Sequence, residues 1–92
     1  MKIIWTRHAE ERQKEWEKKL AITREEVENL LCQPEQVVPG DREVLIAQTI
    51  RGKGLLRAAF IEGENRQKKV LTLYWTTKIE KYWKGALNEN PL

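Results

Sequence analysis

The chain holds one cysteine, one histidine and one phenylalanine in 92 residues. A lone Cys32 cannot close an intramolecular disulfide or build a cysteine-based zinc site, and this economy suits a reducing cytoplasm. Cys32 sits beside Leu31 with no histidine near it in sequence, so packing is expected of it rather than nucleophilic catalysis. With a single histidine and carboxylates scattered along charged stretches, no recognisable ligand set for zinc or iron exists, and neither metal nor cofactor is expected. No apolar run approaches the roughly 20 residues needed to cross a bilayer, so no membrane span is expected. The start, Met1-Lys2-Ile3-Ile4-Trp5, meets charge at Arg7, too early for a secretory signal. Nucleophile-elbow, P-loop and dinucleotide patterns are missing as well. Arg51-Gly52-Lys53-Gly54 has the glycines but no helix after it and reads as a hairpin turn.

What is present is polar but able to fold. Hydrophobic residues make up 40% and charged residues 34%, with four Trp and two Tyr to seal a small core. The length suits one domain over residues 1–85, with 86–92 expected to be a flexible tail. Charge is uneven: residues 1–46 carry 8 basic and 10 acidic side chains, whereas residues 47–92 carry 9 basic and 4 acidic. A basic half attracts phosphate backbones through counterion release; it equally well solvates the outer face of a sheet.

Lys2–Trp5 is short and apolar enough for a strand. Thr6 then caps a helix from Arg7 to about Leu20, a mostly charged segment with Ala9, Gln13, Trp16 and Leu20 on one face. Trp16 is its expected anchor. Thr23-Arg24-Glu25-Glu26 reads as a capping box, with Ile22 and Val27 at the staple positions and a helix from Arg24 to near Cys32, ahead of Pro34. From Val37 the period becomes two. Residues 43–51, 55–62 and 68–76 read as strands joined by Gly52-Lys53-Gly54 and Gly63-Glu64-Asn65-Arg66, giving an antiparallel meander. In the last strand Leu71, Leu73 and Trp75 form the better core face, opposite Val70, Thr72, Tyr74 and Thr76. A second capping box, Thr77-Lys78-Ile79-Glu80, opens a short helix through Trp83 with Gly85 as its stop. The expected fold is α+β: a helical hairpin packed on a small antiparallel sheet, in the order β-α-α-β-β-β-α.

Two constellations carry chemistry. His8 falls in the first turn of a helix, where the dipole favours a neutral ring able to accept a proton from a ribose hydroxyl; such a histidine also serves simply to bond a nearby carbonyl or carboxylate. The second is basic and aromatic: Arg51, Lys53, Arg57, Arg66, Lys68, Lys69, Lys78, Lys81 and Lys84 alternate with Tyr74, Trp75, Tyr82 and Trp83. Cations hold phosphates, and exposed bases stack on aromatic faces at about 1–3 kcal/mol each. Trp75 and Trp83 fit a core-facing pattern, which leaves Tyr74 and Tyr82 as the better candidates for exposure. Arg57 stands mid-strand between Leu56 and Ala58, a position that requires a partner or an open face where a phosphate can bind.

Ile4-Trp5-Thr6-Arg7-His8-Ala9, the stretch from Ile22-Thr23 through Val27 to Pro34 and Val37-Val38, and Thr72-Leu73-Tyr74-Trp75-Thr76-Thr77-Lys78 together resemble a family of small bacterial proteins known only as a domain of unknown function. The resemblance spans about residues 2–84. That family is similar in layout to the RelE/ParE superfold and especially to BrnT-type toxins, small ribonucleases of bacterial toxin–antitoxin pairs. The resemblance implies a compact RNA-directed fold, neutralised by a small antitoxin-like protein. It implies His8, Arg57 and Lys78 as catalytic, Arg12 as part of the His-Ala-x-x-Arg start, and phosphate-binding cations on the sheet and beyond its last strand. The chain departs from the pattern in its charge-rich first helix and in having no second histidine or clear acid, unless Glu80 orients His8.

Two function classes follow. One is a metal-independent RNA endonuclease of toxin type, with His8 as base or acid, Arg57 and Lys78 on the scissile phosphate, and Arg12, Arg51, Lys53, Tyr74, Lys81 and Tyr82 holding RNA. The other is a non-catalytic module that binds RNA or an acidic protein with the same basic sheet.

Overall fold

A computed structural model describes residues 1–85. The expected tail, residues 86–92, lies outside them. Among these residues five strands, β1 (Lys2–Trp5), β2 (Gln36–Pro39), β3 (Leu45–Arg51), β4 (Gly54–Glu62) and β5 (Gln67–Thr76), form one sheet in the order β1-β5-β4-β3-β2, with three α-helices, a mixed α+β fold.

The two hydroxyl caps set the helical layer. Strand β1 (Lys2–Trp5) leads into α1 (Arg7–Leu20), and the Thr6 side chain accepts from the Ala9 N–H. The same Thr6 hydroxyl donates to the Val70 carbonyl at 2.9 Å, so the cap also fastens the helix start to the sheet. Ala21, left-handed at φ 57°, ends α1 and reverses the chain. Helix α2 (Arg24–Cys32) begins at Thr23, whose side chain accepts from the Glu26 N–H. The reciprocal half of the box is absent, because the Glu26 carboxylate accepts from Arg51 Nε instead.

Three tight strands follow. β3 (Leu45–Arg51), β4 (Gly54–Glu62) and β5 (Gln67–Thr76) pair antiparallel as a meander. Two features depart from the sequence-based expectation. A further strand, β2 (Gln36–Pro39), pairs antiparallel with β3 and adds an edge. At the other edge β1 pairs parallel with β5, from Lys2 opposite Gln67 to Trp5 opposite Val70, so the sheet is mixed rather than antiparallel.

Helices α1 and α2 cover one face. Ala9, Ile22, Val27, Leu30 and Leu31 pack against Ala47, Leu56, Ala58, Phe60, Val70 and Leu73, with Ile3, Trp5, Trp16, Leu20 and Trp75 around them. Gln13, also buried, donates to the Ile22 carbonyl at 2.9 Å and so satisfies the inter-helix turn. Trp16 packs on this core as expected, although its indole N–H is buried without a hydrogen-bond partner among the described residues.

A bulge corrects the face assignment in β5. Ala59 lies opposite Thr72 but Phe60 opposite Val70, which leaves Leu71 as the extra residue. The alternation flips there, and Val70 rather than Leu71 joins Leu73 in the core. Cys32 is also corrected: it is exposed at the last position of α2, not packed inside. Among the described residues no helix is long and apolar enough to cross a membrane.

Candidate anion site on the open sheet face

Strand alternation sends Gln48, Arg57 and Tyr74 away from α1 and α2, because their neighbours Ala47, Ala58 and Leu73 are in the helical core. The register aligns them. Gln36 pairs with Gln48, Gln48 with Arg57, and Arg57 with Tyr74, a polar row across four strands.

The row is hydrogen-bonded end to end. Gln48 Nε2 donates to Gln36 Oε1 at 2.8 Å, Arg57 Nε donates to Gln48 Oε1 at 2.8 Å, and Arg57 Nη1 donates to the Tyr74 hydroxyl. Gln48 is fully buried and Arg57 is 5% exposed. The mid-strand arginine therefore lies under a cover rather than on an open surface. Its cover comes from the chain beyond β5. Helix α3 (Ile79–Tyr82) is a single turn that starts at Lys78 without a side-chain cap, so neither the expected Thr77 box nor the Gly85 stop forms; Trp83 ends it. From α3 the Tyr82 ring reaches over the guanidinium, with the Arg57 carbon 3.9 Å from the ring centroid. Tyr74 meets the Tyr82 ring edge-on, centroids 6.3 Å apart.

The segment is held down by two amides. Gln48 Nε2 also donates to the Tyr82 carbonyl at 3.0 Å. Gln36 Nε2 donates to the Lys84 carbonyl at 2.7 Å and its Oε1 accepts from the Lys84 N–H at 3.1 Å.

Electrostatics make the row unusual. A buried guanidinium normally needs a carboxylate, because stripping its water costs several kcal/mol. Among the described residues no carboxylate forms a salt bridge with Arg57, and its Nη2 donates to none of them. Its compensation is two neutral oxygens and an aromatic face, a cation–π contact of up to about 2 kcal/mol when desolvated. The tyrosines feel this environment in opposite directions. Burial raises the Tyr74 phenol above its ordinary 10.0, against the pull of Arg57. Tyr82 is lowered, chiefly by its hydrogen bond with Tyr74 and also by the Lys81 and Arg57 charges. Lys81 Nζ stands 5.2 Å from the Tyr82 ring. Lys78 lines an open cavity of about 450 Å³ with Thr77, Ile79 and Glu80.

The other expected residues are placed elsewhere. His8 is exposed in the first turn of α1, on the helical side, so the sheet separates it from Arg57. Glu80 is on α3, which is tied to the opposite face, and so is not positioned to orient His8. Arg12 pairs with Glu15 at 3.0 Å on the surface of α1. Arg51 is occupied in structure, bonding Glu26 and, through Nη2, the Leu20 carbonyl at 2.9 Å. Lys53 is exposed at the β3–β4 turn. Arg57, Tyr74 and Tyr82 do come together, with Lys81 beside them; Trp83, expected in the core, is half-buried beyond α3. Gln36 and Gln48 were not expected at a site. The signal for Gln48 is an amide two residues from Ile46 and from Ile50 within one strand, a polar group on an otherwise apolar face.

No protein-family model, curated protein or solved structure matches this chain.

Proposed function

We propose that the protein is an RNA-directed, toxin-like module that binds a phosphodiester on the open face of its sheet, with Arg57 as the central phosphate ligand. The observation that carries this is the buried guanidinium, which meets no carboxylate among the described residues: an anion complements such a charge. Lys78 and Lys81, exposed on and beside α3, extend the positive field to the rim. Lys69, opposite Ile61 and exposed, adds to the same face. The Tyr74 hydroxyl completes the cluster as a hydrogen-bonding group. The resemblance to BrnT and RelE-type proteins supports the same choice of ligand, and a small antitoxin-like protein would then be the partner that covers this face.

Separation of His8 from Arg57 favours binding over His8-driven cleavage. A nuclease reading keeps one specific support, the paired phenols of Tyr74 and Tyr82 with their divergent acidities beside a guanidinium, a metal-free set for moving a proton while charge builds on phosphate.

The test is twofold. Fluorescence anisotropy with a labelled oligoribonucleotide should give an affinity that falls steeply with salt, and Arg57→Gln should lose at least tenfold. An unchanged affinity in Arg57→Gln overturns the assignment. Total RNA examined after induced expression in a bacterial host separates the two readings: fragmentation abolished by Arg57→Gln but retained by His8→Ala marks the nuclease, and intact RNA with retained binding marks the non-catalytic module.

A further inference from the structure

The segment that covers Arg57 makes contacts of the kind a nucleic-acid strand would make. Tyr82 lays a flat ring on the guanidinium, as an unpaired base does on arginine. Its carbonyl accepts from the Gln48 amide. Two residues on, the Lys84 N–H and C=O pair with both ends of the Gln36 amide, a donor–acceptor couple of the kind glutamine offers to a base edge. Between them Trp83 is extended, at φ −76° and ψ 135°.

We infer that Gln36, Gln48, Arg57 and Tyr74 form a binding track for single-stranded RNA, and that Tyr82–Lys84 is its internal occupant, which an RNA strand must displace. This rests on the reading of Arg57 as a phosphate ligand and adds the form of the RNA and a control over its entry. A track filled by so short a segment, the end of a one-turn helix followed by the extended Trp83, admits one strand; a duplex is too broad, and its bases are already stacked and paired. The occupant is suited to leaving. Its helix is one turn long and lacks a side-chain cap, and its ties to the sheet are amide side chains that stay behind when it lifts. Competition for the same guanidinium face makes the intact protein a weaker binder than its uncovered form, in proportion to the covered population.

The experiment compares a labelled twelve-nucleotide single-stranded RNA of mixed sequence with its duplex, on the full chain and four variants, by anisotropy. Tyr82→Ala removes the stacked ring and should tighten single-strand binding about fivefold without improving duplex binding. Tyr82→Phe keeps the ring over the guanidinium and should tighten single-strand binding far less than Tyr82→Ala does. Arg57→Gln, alone and combined with Tyr82→Ala, should bind at least tenfold more weakly than its respective background. Thermal melting of each variant verifies folding. Equal or weaker single-strand binding by Tyr82→Ala, with Arg57→Gln still damaging, overturns the internal occupant while leaving the phosphate site standing. Preference for duplex overturns the single-strand track. Indifference to Arg57→Gln in both backgrounds removes the site itself.

Discussion

Gln36 and Lys84 pair as two amides, the side chain of one donating to and accepting from the backbone of the other at 2.7 and 3.1 Å. The edge strand β2 is thereby joined to the segment beyond β5, across residues that share no ladder. Gln36→Ala removes both bonds and the support for Gln48. Each such bond is worth about 0.5–1.5 kcal/mol net. The expected outcome is faster amide exchange confined to residues around Tyr82–Lys84 and a global loss near 1 kcal/mol in urea unfolding.

Arg57 should trade stability against function. Its burial without a carboxylate among the described residues means that a long apolar replacement escapes the desolvation cost that the guanidinium bears. Arg57→Met also leaves the buried Gln48 Oε1 without its donor, so unfolding free energy is expected to fall by no more than about 1–3 kcal/mol, while RNA affinity drops at least tenfold. A loss of several kcal/mol would identify the arginine as a structural keystone instead.

The two tyrosines give a spectroscopic signature, since they are the chain's only phenols. Ultraviolet titration should show two phenolate steps, one below the ordinary 10.0 and one above it, the lower involving mainly Tyr82 and the upper Tyr74. Tyr82→Phe should leave only one step and Tyr74→Phe should return the other toward normal. The stability consequence has opposite signs. A lowered phenol binds fewer protons folded than unfolded, so the Tyr82 contribution grows as pH rises toward 10; a raised phenol holds its proton longer, so the Tyr74 contribution is present below 10 and is lost above it.

Two small residues predict opposite mutational outcomes. Ala21 holds a left-handed φ of 57° at the end of α1, a conformation that glycine adopts without strain. Ala21→Gly should stabilise by about 0.5–1 kcal/mol. Gly54 lies where a Cβ would meet the Trp75 ring at 2.6 Å. Its substitution to Ala should cost about 1–3 kcal/mol by overpacking, measurable as a lowered Tm and a shifted Trp fluorescence.

Much of the helical layer was legible because its signals are local. Thr6 and Thr23 cap within four residues of themselves, and the spacing of Val27, Leu30 and Leu31 marks the face they bury. The features that escaped are non-local. β2 contains a proline and only four residues, and it becomes a strand through pairing with β3. The Leu71 bulge follows from register against β4, which no reading of β5 alone can supply. Glu26 leaves its box because Arg51, from a distant strand, offers a charged donor. In the site, Arg57 stood out as a mid-strand charge and Tyr74 and Tyr82 as the aromatics better suited to exposure, but nothing within β5 reveals that the chain after it folds back over the arginine.

The sheet order carries a consequence for synthesis. β1 leaves the ribosome before the other four strands of its sheet, and its parallel partner begins only at Gln67. Until β5 is translated, the hydrogen-bonding edge of Lys2–Trp5 has no mate, and Ile3 and Trp5 have no finished core to enter. Closing so long a loop is a slow, late step. The nascent chain therefore carries β1 unpaired while every element from α1 to β4 is made, and the strand of this sheet that is made before the others is among the last to find its partner.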